Sequence, residues 1–428
     1  MKSMVAYMRH EDYQPSGEDW LGDVPAGWAI KKMKYLFRDH SQKGRPNAEL
    51  LSVTQNQGVV PRSWVENRMV MPTGGLGTFK FIEKGDFAIS LRSFEGGLEY
   101  CHHDGIISPA YTVLKAWHSD LEPGYYRYLF KSGAFISELQ TSVVGIREGK
   151  NISFVELSHS RMPIPPLGEQ RAIAAFLDEK CVKVDEAVRI KEEQVALLRE
   201  RRQILIQQAV TRGLNPAAPM KDSGIDWIGQ IPAHWKVRRN FVLFRELKVS
   251  GHADLPVLSV SIHSGVSSEE LSDEENIRSI IKIEDRTSYK EVKPGDVAYN
   301  MMRAWQGGIG AVSVHGMVSP AYVVARPNSA LAADYFELLY RCPAFIRQMD
   351  SGSKGITDFR KRLYWDDFKN LLTLVPPRDE QSTIVLLIAE LSKKIEDAVA
   401  IKEAQIAALK EYKTSLINAA VTGKIKVA

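Results

Sequence analysis

Apolar residues recur at heptad spacing along two long stretches of the chain. The first stretch carries two apolar series, Ala174, Cys181, Val188, Val195 and Ala209, with Leu177, Val184, Leu198 and Leu205. The second stretch carries the same two series, Val385, Val399, Ile406 and Ala420, with Ile388, Ile395, Leu409 and Leu416. Such a pattern predicts two helices of roughly 43 residues, each about 65 Å long, that pack as a coiled coil. Because the linker between the copies is short, we expect the two helices to run antiparallel within one chain.

The two helices belong to a duplication that covers most of the chain. Residues 190–198 return at 401–409 with six of nine positions identical, and Lys191 and Lys402 interrupt the two seams at the same heptad position. The globular parts repeat as well, since 19–28 resembles 226–235 around two tryptophans, Gly and Pro. Between Gln55 and Lys80, however, the first copy differs from its counterpart. The sequence therefore predicts two copies of the same fold that differ in their inserted segments.

Proline pairs mark where each globular part ends, because proline cannot continue a strand ladder. Pro165-Pro166 and Pro376-Pro377 precede the two helices, for which we expect N-caps at Gly168 and Asp379 and C-terminal glycines at Gly213 and Gly423. We predict an α+β fold with two pseudo-repeated globular α/β domains separated by the long helices. The predicted segments are a first domain 1–166, a helix 167–213, a linker 214–225, a second domain 226–377, and a helix with its tail 378–428.

Charge, cysteine spacing and the lack of long apolar runs limit where this protein can act and how it can bind nucleic acid. The chain has 428 residues with 44% hydrophobic and 25% charged residues and a formal net charge of +4, so nucleic-acid affinity would have to come from local cationic clusters. The three cysteines are far apart, which suits a reducing cytosol. The N-terminal residues lack an apolar signal core and no long apolar run occurs, so we expect a cytoplasmic protein without a membrane segment.

Signatures of catalysis and cofactor binding are missing from the sequence. There is no phosphate-binding loop, and the glycine-rich pieces at 74–77 and 307–310 lack the frame of a nucleotide fingerprint and are interpreted as turns. Cys101-His102-His103-Asp104 could bind a metal, but the second copy has no matching ligands, so a surface loop is favoured. We therefore expect no catalytic, cofactor or metal site in this chain.

Basic residues cluster on a loop that follows a helix in each copy, at 145–151 and at 355–362. Cations there can contact phosphates, while Asn, Gln and Arg of the unlike segments can contact base edges; a solvated charge run is an equal alternative. The candidate DNA contacts are Arg92, Arg147, Lys150, Asn151, Arg303, Lys354, Arg360, Lys361 and Arg362.

A resemblance to a known family adds to this interpretation. Pro165-Pro166-Leu167-Gly168-Glu169-Gln170 and Pro376-Pro377-Arg378-Asp379-Glu380-Gln381 open the long helices, and Asp226-Trp227-Ile228-Gly229 opens the second globule. In this combination the sequence resembles the specificity subunit of type I restriction–modification enzymes over nearly its whole length. The resemblance implies two target-recognition domains held apart by the helices, in a subunit that is not itself catalytic.

The resemblance also implies partners. These are double-stranded DNA, two copies of a methyltransferase subunit that uses S-adenosylmethionine to modify adenine, and restriction subunits that use ATP and Mg. From the residues alone, like helices suit two identical partners and unlike globules suit two different half-sites. The hypothesis is a recognition subunit for a bipartite, asymmetric DNA site. The alternatives are a DNA-binding regulator without methyltransferase partners and a two-domain protein-interaction scaffold.

Overall fold

The chain forms two compact units in the computed structural model, which describes residues 7–40, 42–65, 75–144, 151–252, 254–269, 288–355 and 361–427. The first unit combines Met1–Glu192 with Glu403–Ala428, and the second is the continuous stretch Glu193–Lys402. Each long helix thus contributes one part to each unit. For this reason the units cut across the five segments predicted from the sequence.

Helices in the described ranges are two long ones and several short ones. In the first unit the short helices are α1 (Ser93–Gly96), α2 (Pro123–Leu129), α3 (Gly133–Thr141) and α4 (Phe154–Leu157). The first long helix is α5 (Leu167–Arg212). The second unit has α6 (Asn240–Leu243), α7 (Ala333–Tyr340), α8 (Pro343–Gly352) and α9 (Trp365–Phe368), and the second long helix is α10 (Arg378–Val421).

Short strands build the rest of each unit. Those of the first unit are β1 (Tyr13–Pro15), β2 (Asp23–Pro25), β3 (Ala29–Lys32), β4 (Phe37–Asp39), β5 (Leu51–Thr54), β6 (Gly58–Pro61), β7 (Lys80–Ile82), β8 (Phe87–Ile89), β9 (Glu99–Tyr100), β10 (Gly105–Ile107), β11 (Thr112–Ala116), β12 (Val143–Val144), β13 (Asn151–Ile152) and β14 (Arg161–Ile164). Those of the second unit are β15 (Met220–Asp222), β16 (Gln230–Pro232), β17 (Lys236–Arg239), β18 (Phe244–Leu247), β19 (Val257–Leu258), β20 (Val260–Ser261), β21 (Gly265–Val266), β22 (Lys290–Val292), β23 (Val297–Asn300), β24 (Ile309–Ala311), β25 (Gly316–Val318), β26 (Tyr322–Pro327) and β27 (Leu372–Val375).

Most sheets of the two units have the same strand order, although the first unit has a two-stranded sheet β10-β7 where the second has the three-stranded sheet β19-β25-β22. A four-stranded antiparallel sheet has the order β4-β11-β8-β9 in the first unit and β18-β26-β23-β24 in the second. The pairs β1-β2, β3-β14 and β5-β6 correspond to β15-β16, β17-β27 and β20-β21. The duplication seen in the sequence is thus a duplication of strand order and pairing. Together with the two long helices, this architecture confirms the predicted fold class.

Matched Gly-Asp turns lead into the central strand of each sheet. Gly85 and Gly295 adopt φ values of +97° and +91°, a region that favours glycine. The next residue closes the turn, because Asp86 accepts a hydrogen bond from the backbone N–H of Glu83 and Asp296 accepts one from Lys293. Both aspartates are buried and face a cation on the neighbouring strand, Lys115 or Arg326.

The long helices pack antiparallel within each unit. In the first unit Asp185 pairs with Lys413 and Glu192 with Lys410, so rising numbers in α5 meet falling numbers in α10. In the second unit Arg202 contacts Ser392 and Glu396. The seam residues predicted from heptad spacing are all buried or half-buried. Lys191, at the predicted polar interruption, donates to Gln405 at 2.7 Å.

Each long helix begins one residue before its expected N-cap, because a proline carbonyl accepts one of its first hydrogen bonds. Gln170 N–H donates to the carbonyl of Pro166, and Gln381 N–H donates to that of Pro377. The expected N-caps Gly168 and Asp379 are therefore wrong, since both lie inside a helix. The C-terminal prediction is confirmed, as Gly213 and Gly423 follow the helices with φ values of +73° and +72°.

The Glu-Gln pair at the start of each long helix fastens the helix to its globule. Glu169 accepts a hydrogen bond from the indole of the buried Trp28 at 3.0 Å, and Glu380 accepts one from Trp235 at the same distance. The following glutamines are fully buried and bond the backbone around them. Trp28 and Trp235 thus belong to the packed cores, whereas Trp227, the first tryptophan of the second motif, is 37% exposed.

The far ends of the long helices complete the cores of the two units. Leu416, Ala420 and Val421 of α10 join the core of the first unit, where Tyr125 donates to the carbonyl of Val421 at 2.7 Å. In the second unit Tyr335 donates to the carbonyl of Val210 in α5 at 3.2 Å. Each core is therefore built from the beginning of one long helix and the end of the other.

One strand lies in the segment predicted as a linker. Within 214–225, strand β15 pairs antiparallel with β16, as β1 pairs with β2 in the first unit. Its three residues are all exposed, so no alternation of apolar and polar residues marked it in the sequence.

Candidate nucleic-acid interface

Two exposed arginines occupy equivalent turns of the two units. Arg92 immediately precedes α1, and Arg303 immediately precedes a 3₁₀ helix formed by Ala304–Gln306. Each turn closes with a glycine of positive φ, Gly97 at +78° or Gly307 at +90°. The backbone therefore holds both arginine side chains at the surface, and Arg303 donates to Gln306 Oε1 at 2.8 Å.

The basic loops predicted from the sequence are each closed by antiparallel pairing, through two residue pairs in the first unit and one in the second. Val144 pairs with Asn151 in the first unit, and Lys354 forms the matching antiparallel bridge to Arg362 in the second. Asn151 is therefore the structural counterpart of Arg362. The candidate residues Arg147, Lys150 and Arg360 lie outside the described residues.

The described cations of the second loop already have partners within the protein. Lys361 Nζ lies 2.6 Å from Asp350 and 4.9 Å from the ring centroid of Trp305. Lys354 lies 2.8 Å from Asp367, and this hydrogen bond raises the pKa of Lys354 above its usual value. A phosphate at this surface would compete with these carboxylates for the two lysines.

The structure brings most of the described candidate residues together in two places. In the second unit Trp305, which contacts Lys361, belongs to the same short helix that begins after Arg303. In the first unit α1, which follows Arg92, contacts β13, which carries Asn151. Each unit thus presents an arginine-bearing turn beside a hairpin loop.

Two exposed hairpin tips, one on each unit, are further candidate DNA contacts that the sequence did not single out. Gln55, Asn56 and Gln57 connect β5 to β6 and are exposed, as are the matching Ile262, His263 and Ser264 between β20 and β21. The tip at 55–57 lies at the start of the unlike segment, which was the available signal. Its side chains offer the donor and acceptor groups that base edges require.

A second missed feature is a cationic edge that carries exposed aromatic side chains. In the first unit the guanidinium of Arg38 lies 4.2 Å from the ring centroid of the exposed Trp117. In the second unit the equivalent stretch of sequence carries Arg238 and Arg245 on either side of the exposed Phe241 along the chain. The matched residues Lys31-Lys32 and Arg238-Arg239 were the signal in the sequence. Interleaved cations and aromatic rings are typical of nucleic-acid surfaces.

The cysteine and histidine cluster of the first unit is part of its packing. The thiol of Cys101 is fully buried and donates to the carbonyl of His103 at 3.0 Å, while burial raises the pKa of Cys101 to about 12. Asp104 accepts a hydrogen bond from the backbone N–H of Lys84. The surface-loop interpretation is therefore wrong for Cys101, which belongs to a hydrophobic core cluster, whereas Asp104 is exposed as expected.

Two searches of the described ranges gave no further site. Across these ranges, no three His, Cys, Asp or Glu side chains lie close enough together to hold a metal ion. Among the helices of the same ranges, none has the length and apolar character needed to cross a membrane.

Comparisons with known proteins identify relatives over the whole chain. No family model matches the sequence. The chain is 19% identical over 464 aligned residues, covering 100% of both sequences, to a putative type I restriction enzyme specificity subunit, MjaX, of Methanocaldococcus jannaschii. It is 24% identical over 297 residues to the EcoKI specificity subunit of Escherichia coli K12, which covers 63% of this chain and 58% of that subunit.

Two solved structures share the fold of this chain. The HsdS subunit of Thermoanaerobacter tengcongensis superimposes with a TM-score of 0.53 at 17% identity, over 94% of this chain and 98% of that one. A chain from a study of complex assembly and conformational transition in a type I restriction–modification system gives a TM-score of 0.63, also at 17% identity, over 93% and 98%.

The fold, the duplicated frame and the relatives define a class of two-domain specificity subunits. The chain is similar to the specificity subunits of type I restriction–modification enzymes in sequence and in fold, which confirms the resemblance found in the sequence.

Proposed function

We propose that this chain is the sequence-specific DNA-recognition subunit of a type I restriction–modification complex, in which each unit reads one half of a bipartite, asymmetric site. The proposal is supported by the contrast between the similar internal architecture of the two units and their different exposed hairpin tips. The two units share strand order, glycine turns and helix attachment, whereas the exposed tips differ, with Gln-Asn-Gln at 55–57 and Ile-His-Ser at 262–264.

The chemistry of the complex then lies in partner subunits. Two methyltransferase subunits would bind S-adenosylmethionine and methylate adenine, and restriction subunits would use ATP and Mg for translocation and cleavage. This chain would hold no cofactor, and we place the complex in the cytoplasm. The long helices offer a surface for such partners, since Leu197 and Ile204 lie one heptad apart and are 63% and 48% exposed. Two apolar side chains on one exposed helix face support helix docking.

The decisive experiment expresses the chain with a modification subunit in a host and sequences the methylated adenines. Replacing residues 20–160 with the same segment of another specificity subunit should change one half of the methylated motif and leave the other half unaltered. A change in both halves would contradict the assignment of one half-site to each unit.

Binding measurements separate this function from its two alternatives. Salt-dependent DNA binding by a chain that recruits no methyltransferase on co-purification would favour the regulator, and no DNA affinity in the complete complex would favour the scaffold. At the interface, Lys361→Ala should weaken binding to all sequences and reduce the slope of log K against log salt by up to about one. Lys394→Ala is the matched control, because Lys394 pairs with Glu390 on the long helix.

A further inference from the structure

An ion pair between the partly exposed Lys131 and the buried Glu99 joins two surface elements of the first unit. Lys131 follows α2, and its Nζ donates to three oxygens from two parts of the chain: the carbonyl of Gln55 at 3.0 Å, and the carbonyl of Gly96 at 2.9 Å with the carboxylate of Glu99 at 2.6 Å. Gln55 begins the hairpin tip, and Gly96 ends the turn that starts at Arg92. One ammonium group therefore connects the tip to the arginine-bearing turn.

The second unit makes a similar connection, from its hairpin tip to the strand β24 that directly follows the arginine-bearing turn. Arg341 follows Tyr340 as Lys131 follows Phe130, and it donates to the carbonyl of His263 at 2.5 Å and to that of Ile309 at 3.4 Å. His263 lies in the hairpin tip, and Ile309 follows the glycine turn that begins at Arg303. The carboxylate comes from Glu337, 3.6 Å away on α7, whereas Glu99 lies on a strand.

The two surface elements also fit closely against each other. A Cβ atom added to Gly96 would lie 2.1 Å from Nε2 of Gln55, so the first side chain of the tip rests on the backbone of the arginine turn. In the second unit a Cβ on Gly265 would lie 2.4 Å from the carboxylate of Glu337 and 2.9 Å from Arg341. Both tips are thus seated against the cation and its partners.

The tips share this support but differ in what they present. Amide side chains at 55–57 can both donate to and accept from a base edge, a pattern that matches adenine. The second tip presents an apolar, an imidazole and a hydroxyl side chain instead. Two different half-sites require tips of different chemistry on the same supporting structure. Contacts with bases also require a fixed distance between each tip and the neighbouring arginine.

We propose that Lys131 and Arg341 are positioning residues for sequence recognition, each fixing a hairpin tip relative to the arginine-bearing turn of its own unit so that both can contact the same half-site. The inference rests on the proposed function and deepens it. It assigns specificity to the tips at 55–57 and 262–264, with Lys131 and Arg341 acting through them. Loss of either cation frees the tip, and a freed tip discriminates poorly between bases.

The test uses the full chain with its modification subunit and compares two double variants. Lys131→Met with Glu99→Gln, and Arg341→Met with Glu337→Gln, remove each pair without leaving a buried charge unpartnered. In the first variant we expect faster amide hydrogen exchange at 54–58 and unchanged exchange at 261–265, and the second variant should show the reverse. The single variants Lys131→Arg and Arg341→Lys should keep the wild-type exchange.

Sequencing of the methylated adenines provides the second readout. Each double variant should lose about ten-fold in discrimination at one half of the methylated motif, the size of one weakened base contact, and keep the other half. Equal loss at both halves, or tips whose exchange does not change, would overturn the inference. If the wild-type motif persists fully in both variants, the inference alone fails, whereas a wild-type chain that directs no sequence-specific methylation defeats the proposed function as well.

Discussion

The buried glutamine at the start of the second long helix offers a sharp test of how helix and globule are joined. Gln381 is 1% exposed, its Oε1 accepts from the backbone N–H of Ala332 at 3.0 Å, and its Nε2 donates to the carbonyl of Pro376 at 2.9 Å. Gln381→Leu keeps most of the side-chain volume and removes both hydrogen bonds. Two backbone groups would then be buried without partners.

The expected cost follows from those two groups. An unpaired buried backbone donor or acceptor costs about 1–3 kcal/mol, so the substitution should lower the free energy of unfolding of the second unit by about 2–6 kcal/mol. That is a large share of the roughly 5–15 kcal/mol by which a domain is stable. Gln208→Leu is the matched control, because Gln208 lies exposed on the first long helix in the same unit.

Native-state hydrogen exchange resolved by peptide is the appropriate assay, since a chain with two units need not unfold in one step. The opening free energy of peptides in the core of the second unit should fall in Gln381→Leu and stay near wild type in Gln208→Leu. Gln170→Leu should act in the same way on the first unit, where Gln170 bonds three backbone groups. A difference below about 0.5 kcal/mol between the Gln381 and Gln208 variants would refute this explanation of the Glu-Gln pair.

Three further outcomes are expected. Burial raises the pKa of Glu99 from 4.5 to about 7. The stability contributed by the protonated Glu99 carboxyl is therefore full below about pH 4.5 and is lost as pH rises through about 7. Glu99→Gln should remove this part of the pH dependence of the unfolding midpoint. The buried thiol of Cys101 should resist a water-soluble thiol reagent at pH 8 in the folded chain and react once the chain is unfolded, and fast labelling of the folded protein would contradict its burial. Gly213→Ala should destabilise more than Gly224→Ala, because both have φ near +70° but only at Gly213 would the added Cβ meet Glu380 at 3.0 Å; equal melting temperatures would show that this contact is unimportant.

Periodicity and internal repetition allowed much of the fold to be predicted from the sequence. Heptad spacing gave the long helices and their seams, because a residue on the buried stripe of a helix has few alternatives to an apolar side chain. The matched Trp-containing motifs marked contacts between globule and helix that both units keep. Strand β15 was missed because its residues are exposed on both faces, so its pairing with β16 left no pattern in the sequence.

The candidate interface was less accessible to sequence reasoning. Cationic loops were found because charge is visible in a sequence, but the pairing of Lys354 with Asp367 and of Lys361 with Asp350 depends on the tertiary fold. The role of Lys131 was missed for the same reason, since its three acceptors are 32 to 76 positions away along the chain. An alignment of the two copies pairs Lys131 with Arg341 and so shows that a cation recurs at this position, but it does not show which groups the cation contacts.

The way the cores are completed has a consequence for the order in which the chain folds during synthesis. The second unit is continuous from Glu193 to Lys402, so all of its core residues leave the ribosome together. The first unit needs Leu416, Ala420 and Val421, which are synthesised only after the whole second unit. At about 5–20 residues per second, the first globule waits about 10–40 s for its missing helix. The half of the protein that is translated first is therefore the half that is finished last, and until then it exposes the apolar cleft that α10 will fill.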